Sequence, residues 1–226
     1  MATGFFYKKI VKGGVCLFAF AWIVFSLGYA VYLSSATVVN TSKNFYFLVS
    51  SSAHIEVSAH QATQMGGAGY LFEQNGRESV ALSVYCTEME AVTVHANLKD
   101  GQTEILFLQS PKLYLKTRKQ KQKKQVYKNA FCILSDCINF LDTEIDRLEK
   151  GATQQSSKRI LAVLKDKFSF LQKEYQKDFA SFATVCKNAE ENLACALAGV
   201  VYLEDLRYLL CDLSVSYIRL SEEFQI

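Results

Sequence analysis

The longest uninterrupted apolar pattern stands at the start of the chain. Val15–Leu33 reads VCLFAFAWIVFSLGYAVYL, and no charged residue occurs from Gly13 to Ser42. A helix that crosses the hydrocarbon of a bilayer needs about 20 such residues. Trp22, Tyr29 and Tyr32 add aromatic rings, the last two near the outer interface, where they are favoured. Lys8, Lys9 and Lys12 precede the run, and the next cation is Lys43. That asymmetry predicts a cytoplasmic stub over 1–12, a transmembrane helix over 13–34 and an extracytoplasmic body at the cell membrane. The competing reading is a cleaved signal peptide, with small residues at Ser34–Ala36 as its site. The apolar run is long for a signal core, which favours the anchor. Either way, most of the chain is exported.

A polar tether, 35–43, leads to short runs of alternating or continuous apolar character. Residues 45–49 (FYFLV), 68–73 (AGYLFE), 79–85 (SVALSVY) and 104–108 (EILFL) read as strands. Between the first and second, His54 to Met65 has weak helical spacing, and Gly66-Gly67 ends it. Asn75-Gly76 marks a hairpin. Thr87 with Glu90 forms a capping box opening a helix to about Leu98. The order β-α-β-β-α-β predicts a split βαβ unit over 44–110, an antiparallel sheet with two helices on one face and the other face open.

After Pro111 the pattern changes. A basic neck, 111–124, begins a stretch with eight cations and no acid: Lys112, Lys116, Arg118, Lys119, Lys121, Lys123, Lys124 and Lys128. From 125 to 226 the period is helical. Tyr127, Phe131, Leu134, Ile138, Leu141, Ile145 and Leu148 make one heptad stripe; Leu161, Leu164, Phe168, Leu171, Tyr175, Phe179 and Phe182 make a second; Leu193 through Phe224 make a third. Thr153 or Ser156 caps the second helix, and Asn188 with Glu191 offers a cap for the third. Short connections favour an antiparallel three-helix coiled coil, a rod, over pairing between chains. The fold class expected is thus α+β, with a transmembrane helix, a small antiparallel sheet domain and an all-α region.

Composition narrows the chemistry. One Pro and 11 Gly in 226 residues exclude a linker-dominated chain, and a net charge of +3 implies no particular partner. Cys16 lies in the apolar segment; Cys86, Cys132, Cys137, Cys186, Cys195 and Cys211 fall in no compact framework. They read as small buried apolar residues, with an interhelical disulfide as the alternative. The three histidines, His54, His60 and His95, are not spaced with a Cys pair, so no metal and no cofactor is expected. No nucleophile motif, HExxH or phosphate loop occurs, and the reading is of a protein that is not an enzyme. The basic run, with Lys116, Arg118, Lys119, Lys121, Lys123 and Lys124 at its centre, reads as a solvated helix start or as a contact for wall phosphate, anionic lipid or an acidic partner. Nucleic acid is not expected outside the cell.

Three segments carry a resemblance: FYFLVSSS at 45–52, GGAGYLFEQNG at 66–76 and SVALSVYCTEMEAVTVHANL at 79–98. They resemble the SPOR domain, the sporulation-related repeat of bacterial envelope proteins. Tyr85 stands where that family has an aromatic at the end of its third strand. The resemblance covers under a third of the chain. It implies an RNP-like fold, a single-pass anchor, binding to peptidoglycan glycan strands stripped of stem peptides, and a place in cell division or sporulation. Carried onto this sequence, with Phe45, Phe47, Val49, Val80, Leu82 and Val84 facing the two helices, the open glycan-binding face would hold Tyr46, Leu48, Ser50, Ser79, Ala81 and Ser83. Leu48 and Ala81 are less polar than that family's pattern. The alternative is an envelope scaffold whose helices, 125–226, bind another membrane protein without any glycan.

Overall fold

A computed structural model describes residues 36–50, 55–64, 66–74, 77–98 and 103–225. The predicted stub 1–12 and membrane helix 13–34 lie outside them, as does the Asn75-Gly76 turn. Among the described residues, no helix is long and apolar enough to cross a membrane.

The elements run β1 Thr37–Val39, β2 Asn44–Ser50, α1 Ile55–Gln64, β3 Tyr70–Gln74, β4 Arg77–Tyr85, α2 Glu88–Leu98, β5 Thr103–Gln109 and β6 Leu113–Leu115. Helices follow: α3 Arg118–Gln122, α4 Lys124–Glu149, α5 Gln154–Tyr175, α6 Ala180–Ala198 and α7 Leu203–Glu222. The fold is α+β. Its main sheet is antiparallel in the order β3-β4-β2-β5, so the four strands expected from alternation pair as the split βαβ order requires. Gly69 is held at φ +59°, and a Cβ there would stand 2.7 Å from the Ala59 carbonyl oxygen. Only glycine allows the chain to leave α1 and enter β3 that closely.

Helices lie against both faces of the sheet, the α1–α2 side leaving Leu71 and Phe107 about half exposed. Phe45, Phe47, Val49, Tyr70, Phe72, Ala81, Val84 and Leu108 share one core cluster with the buried residues of α4–α7. The Phe45 ring meets Tyr217 of α7 edge-on at 5.7 Å. The Tyr70 hydroxyl donates to Asp212 Oδ1 of α7 at 3.0 Å. Leu48, Val80, Ala62 of α1 and Ala91 of α2 are buried outside that cluster, on the opposite face. The expectation that Phe45, Phe47, Val49 and Val84 face the two short helices is therefore reversed. The longer helices bring more apolar surface and take the aromatic face, while small alanines of α1 and α2 cover the other. Each fully buried large side chain contributes about 1.5–3 kcal/mol, so the larger stripe governs the choice.

A β-bulge adds a second correction. Leu48 pairs with Ser83, but its neighbour Val49 pairs with Ala81, leaving Leu82 as the extra residue. Strict alternation from Ser79 to Ser83 fails there, because one inserted residue moves everything beyond it to the other face.

The tether and the neck are built into the body. β1 pairs antiparallel with β6, Thr37 opposite Leu115 and Val39 opposite Leu113. The Lys43 amide donates to Ser110 Oγ at 2.8 Å, and the Ser110 amide donates back to the Lys43 carbonyl at 2.9 Å. The Tyr217 hydroxyl donates to the Thr41 carbonyl at 2.6 Å. Period-two reading had no purchase on strands of three residues.

Four long helices replace the three expected. The second stripe crosses a break at 176–179, where the chain turns without Gly or Pro. Phe179 stacks on Phe182 at 5.8 Å and meets Tyr127 edge-on at 5.1 Å. That aromatic packing replaces the missing helical turn. The third stripe is cut at 199–202, so Asn188 lies inside α6 rather than at a cap. Thr153 does cap α5, accepting from the Ser156 amide at 3.3 Å. Helix α5 packs along α6, and α4 along α7, while α7 also lies against β3 and β4. The helices thus close over the sheet and do not project from it as a separate rod.

Candidate functional site

The six residues expected on an open glycan-binding face do not form one. Leu48, Ala81 and Ser83 are buried, and Tyr46, Ser50 and Ser79 are half-buried. Ala81 points to the long helices, whereas Leu48 and Ser83 lie on the side of α1 and α2. The Tyr46 ring packs against Phe107 at 5.2 Å, and Ser83 Oγ donates to the Tyr85 hydroxyl at 2.9 Å. Two features place them so, the bulge and the covering helix, and neither has a local sequence signal.

The basic run divides. Lys123 pairs with Asp178 at 2.7 Å, and the Lys116 ammonium donates to the Gln225 carbonyl at 3.4 Å. Arg118, Lys119 and Lys124 are exposed. Lys121 is half-buried and interacts with the rest of the protein. Thr117 opens α3 through a reciprocal cap with Gln120. The run is therefore ordered, with most of its cations presented to solvent.

A cleft of about 440 Å³ lies between α2 and α4, lined by Tyr85, Met89, Glu90, Asp142, Asp146 and Glu149 among others. Burial, then the Glu90 charge, raises the Asp142 carboxyl to about 6, with Lys43 opposing. Lys43 is held nearby, its ammonium donating to Ser135 Oγ at 3.0 Å and Asn139 Oδ1 at 2.5 Å. Glu90 is tied back by Thr87, whose hydroxyl donates to its carboxylate at 2.7 Å and accepts from its amide at 3.3 Å, the second bond being one half of the expected capping box. Sequence spacing does not bring Glu90 and Asp142 together; only the placement of α2 and α4 on either side of one cleft does. The carboxylates Glu90, Asp142, Asp146 and Glu149 share the cleft with the hydroxyls of Tyr85, Thr93 and Thr143, so its lining is mainly acidic.

The outer side of the helices carries a different pattern. Val163 and Phe170 of α5 are 67% and 64% exposed, seven residues apart and so on one face. Lys167 lies between them on the same stripe, and its charge opposes the upward shift that burial gives the Cys137 thiol of α4. Phe140, one turn on from Cys137, is also exposed. Val163 and Phe170 thus make an exposed apolar strip on α5, interrupted by Lys167, and Phe140 is an exposed apolar residue of α4. A heptad stripe follows only core-facing positions, so these outward residues fall outside it.

The six described cysteines are free thiols, with Cys137, Cys186 and Cys211 buried. Burial pushes the Cys186 thiol up to about 12, the neighbouring Cys137 adding to it. Among the described residues, no group of three or more His, Cys, Asp or Glu stands where it could hold a metal ion. His60 meets Gln64 at 3.0 Å and His95 meets Thr103 at 3.1 Å, both local contacts; His54 lies outside the described residues.

No protein-family model, no curated protein and no solved structure matches this chain.

Proposed function

We propose that this chain is a membrane-anchored, non-catalytic interaction protein of the cell envelope, a scaffold whose helical body engages a protein partner. The observation that carries the reading is the exposed strip of Val163 and Phe170 on one face of α5, with Phe140 of α4 exposed as well. Scattered single apolar residues on a surface are ordinary; large apolar side chains repeated along one helix face are the pattern of a contact. The anchor rests on the uncharged segment 13–34 and its cationic flank. Glycan binding, the activity implied by the resemblance to SPOR domains, gains no support from a sheet with helices against both faces.

The test is photo-crosslinking in cells with a benzoyl-phenylalanine placed at Phe170 and, as a control, at exposed Lys187 of α6. Discrete adducts from position 170 that disappear with Val163→Glu are expected, with none from 187. Equal adducts from both positions, or none from 170, would end the scaffold reading at this strip. In parallel, the full chain in detergent is sedimented with peptidoglycan sacculi before and after removal of stem peptides. Retention that rises on stripping would restore the glycan-binding function in its place.

A further inference from the structure

The ribbon of β1 and β6 stands where the chain enters the body. The predicted anchor ends at Ser34, and Thr37 is three residues on, so the two are at most about 11 Å apart. Thr37 lies opposite Leu115 in the ribbon. Lys116 and the start of α3 follow directly. A basic run some eighty positions away along the chain is therefore folded back beside the predicted point of emergence from the bilayer.

The ribbon is two-sided. Val39, Leu113 and Leu115 are buried, whereas Val38 and Tyr114, which pair across the two strands, are 50% and 37% exposed. Lys112, Tyr114 and Lys116 alternate along β6 and share its outer side, all exposed. An exposed aromatic and a β-branched residue flanked by lysines match an interfacial layer, where a ring sits at headgroup depth and ammonium groups meet phosphate. Arg118, Lys119 and Lys124 extend the positive surface. Glu222 and Glu223, at the nearby end of α7, form no ion pair with Lys112, Lys116, Arg118 or Lys119 among the described residues.

We propose that the outer side of the β1–β6 ribbon, with Lys112, Tyr114, Lys116, Arg118 and Lys119, docks on the anionic lipid headgroups around the anchor. This rests on the anchored reading above. Docking would hold the body against the bilayer and fix how it presents the apolar strip of α5. Attraction of this kind falls off within about 10 Å, the reach that the short link from Ser34 enforces.

The experiment uses the full chain reconstituted into vesicles, with a fluorescent donor on Gln122→Cys in a Cys16→Ser, Cys86→Ser, Cys132→Ser, Cys195→Ser background and an acceptor on the lipid headgroups. Resistance to carbonate extraction reports the anchor separately. With about 30 mol % phosphatidylglycerol, energy transfer about two-fold above that in phosphatidylcholine alone is expected. It should return to the phosphatidylcholine level in about 0.5 M NaCl, and with Lys112→Gln, Lys116→Gln, Arg118→Gln and Lys119→Gln combined. Equal transfer in the two lipids, from protein that resists extraction, overturns the docking and leaves the anchor standing. Equal transfer together with retention of polyphosphate by the wild type but not by the combined variant assigns the surface to a phosphate-rich polymer instead. Extraction by carbonate removes the anchor, and the docking with it.

Discussion

Asp142 is the described side chain whose charge is least at ease. Its carboxyl is raised from 3.8 to about 6 by burial first and by Glu90 second. A raised carboxyl means that the folded state holds the proton more tightly than the unfolded chain. Its contribution is most favourable below about pH 4 and is lost as pH rises towards 6. Above that, the buried charge costs about 1–2 kcal/mol, after a discount for the solvent that reaches a partly exposed group. Asp142→Asn should therefore stabilise the protein at pH 7 by about that amount and leave it unchanged near pH 4. Urea denaturation at both values checks this. An equal gain at both would mean that the effect is packing and not charge. The sequence around Asp142 shows only the weaker influences, Asp146 and Glu149 of its own helix; the burial and the Glu90 charge that dominate come from tertiary packing.

At the scale of elements, breaks were harder to read than helices. The apolar stripes identify the large buried side chains of α4 and α5, among them Phe131, Leu134, Leu161 and Phe168, while the small or polar buried residues Ala130, Cys137, Glu144 and Ser157 fall outside them. The interruption after Ala198 is held from a distance. Gln154, in the first turn of α5, donates its side-chain amide to the Val201 carbonyl at 2.9 Å and accepts from the Val201 amide at 3.0 Å. That one side chain pairs both backbone groups of a buried residue between helices, where unpaired groups are costly. Gln154→Ala should destabilise the fold by about 2 kcal/mol, read as a lowered urea midpoint with an unchanged slope. A midpoint like that of the wild type would show that water replaces the glutamine. A glutamine beside a helix start has no pattern that distinguishes this role, so the four-helix count could not be reached from periodicity.

At the scale of the molecule, the expected boundaries at 43, 110 and 124 do not separate independent bodies. Residues from β2 to α7 contribute to one core, and β1 is locked to β6. Residues 44–110 alone would expose Phe45, Phe47, Tyr70 and Phe72 along one face of the sheet. That fragment should give no cooperative unfolding transition, while the full chain should unfold in a single step with coincident far- and near-ultraviolet circular dichroism. A cooperative transition in the fragment would refute the shared core and restore the sheet as a separate domain.

Local and periodic features were determined by the sequence by itself. They include the uncharged segment with its cationic flank, the strand and helix order from 44 to 109, the helix starts at Thr87 and Thr153, and the core-facing stripes of the helices. Each depends on neighbours within a few residues, where spacing and propensity decide the outcome. Tertiary structure alone decided which face of the sheet the long helices cover, where the bulge at Leu82 turns Ala81 inward, and that the tether pairs with the neck. Those choices compare apolar areas and hydrogen bonds between segments far apart in the chain, a competition that no local window contains.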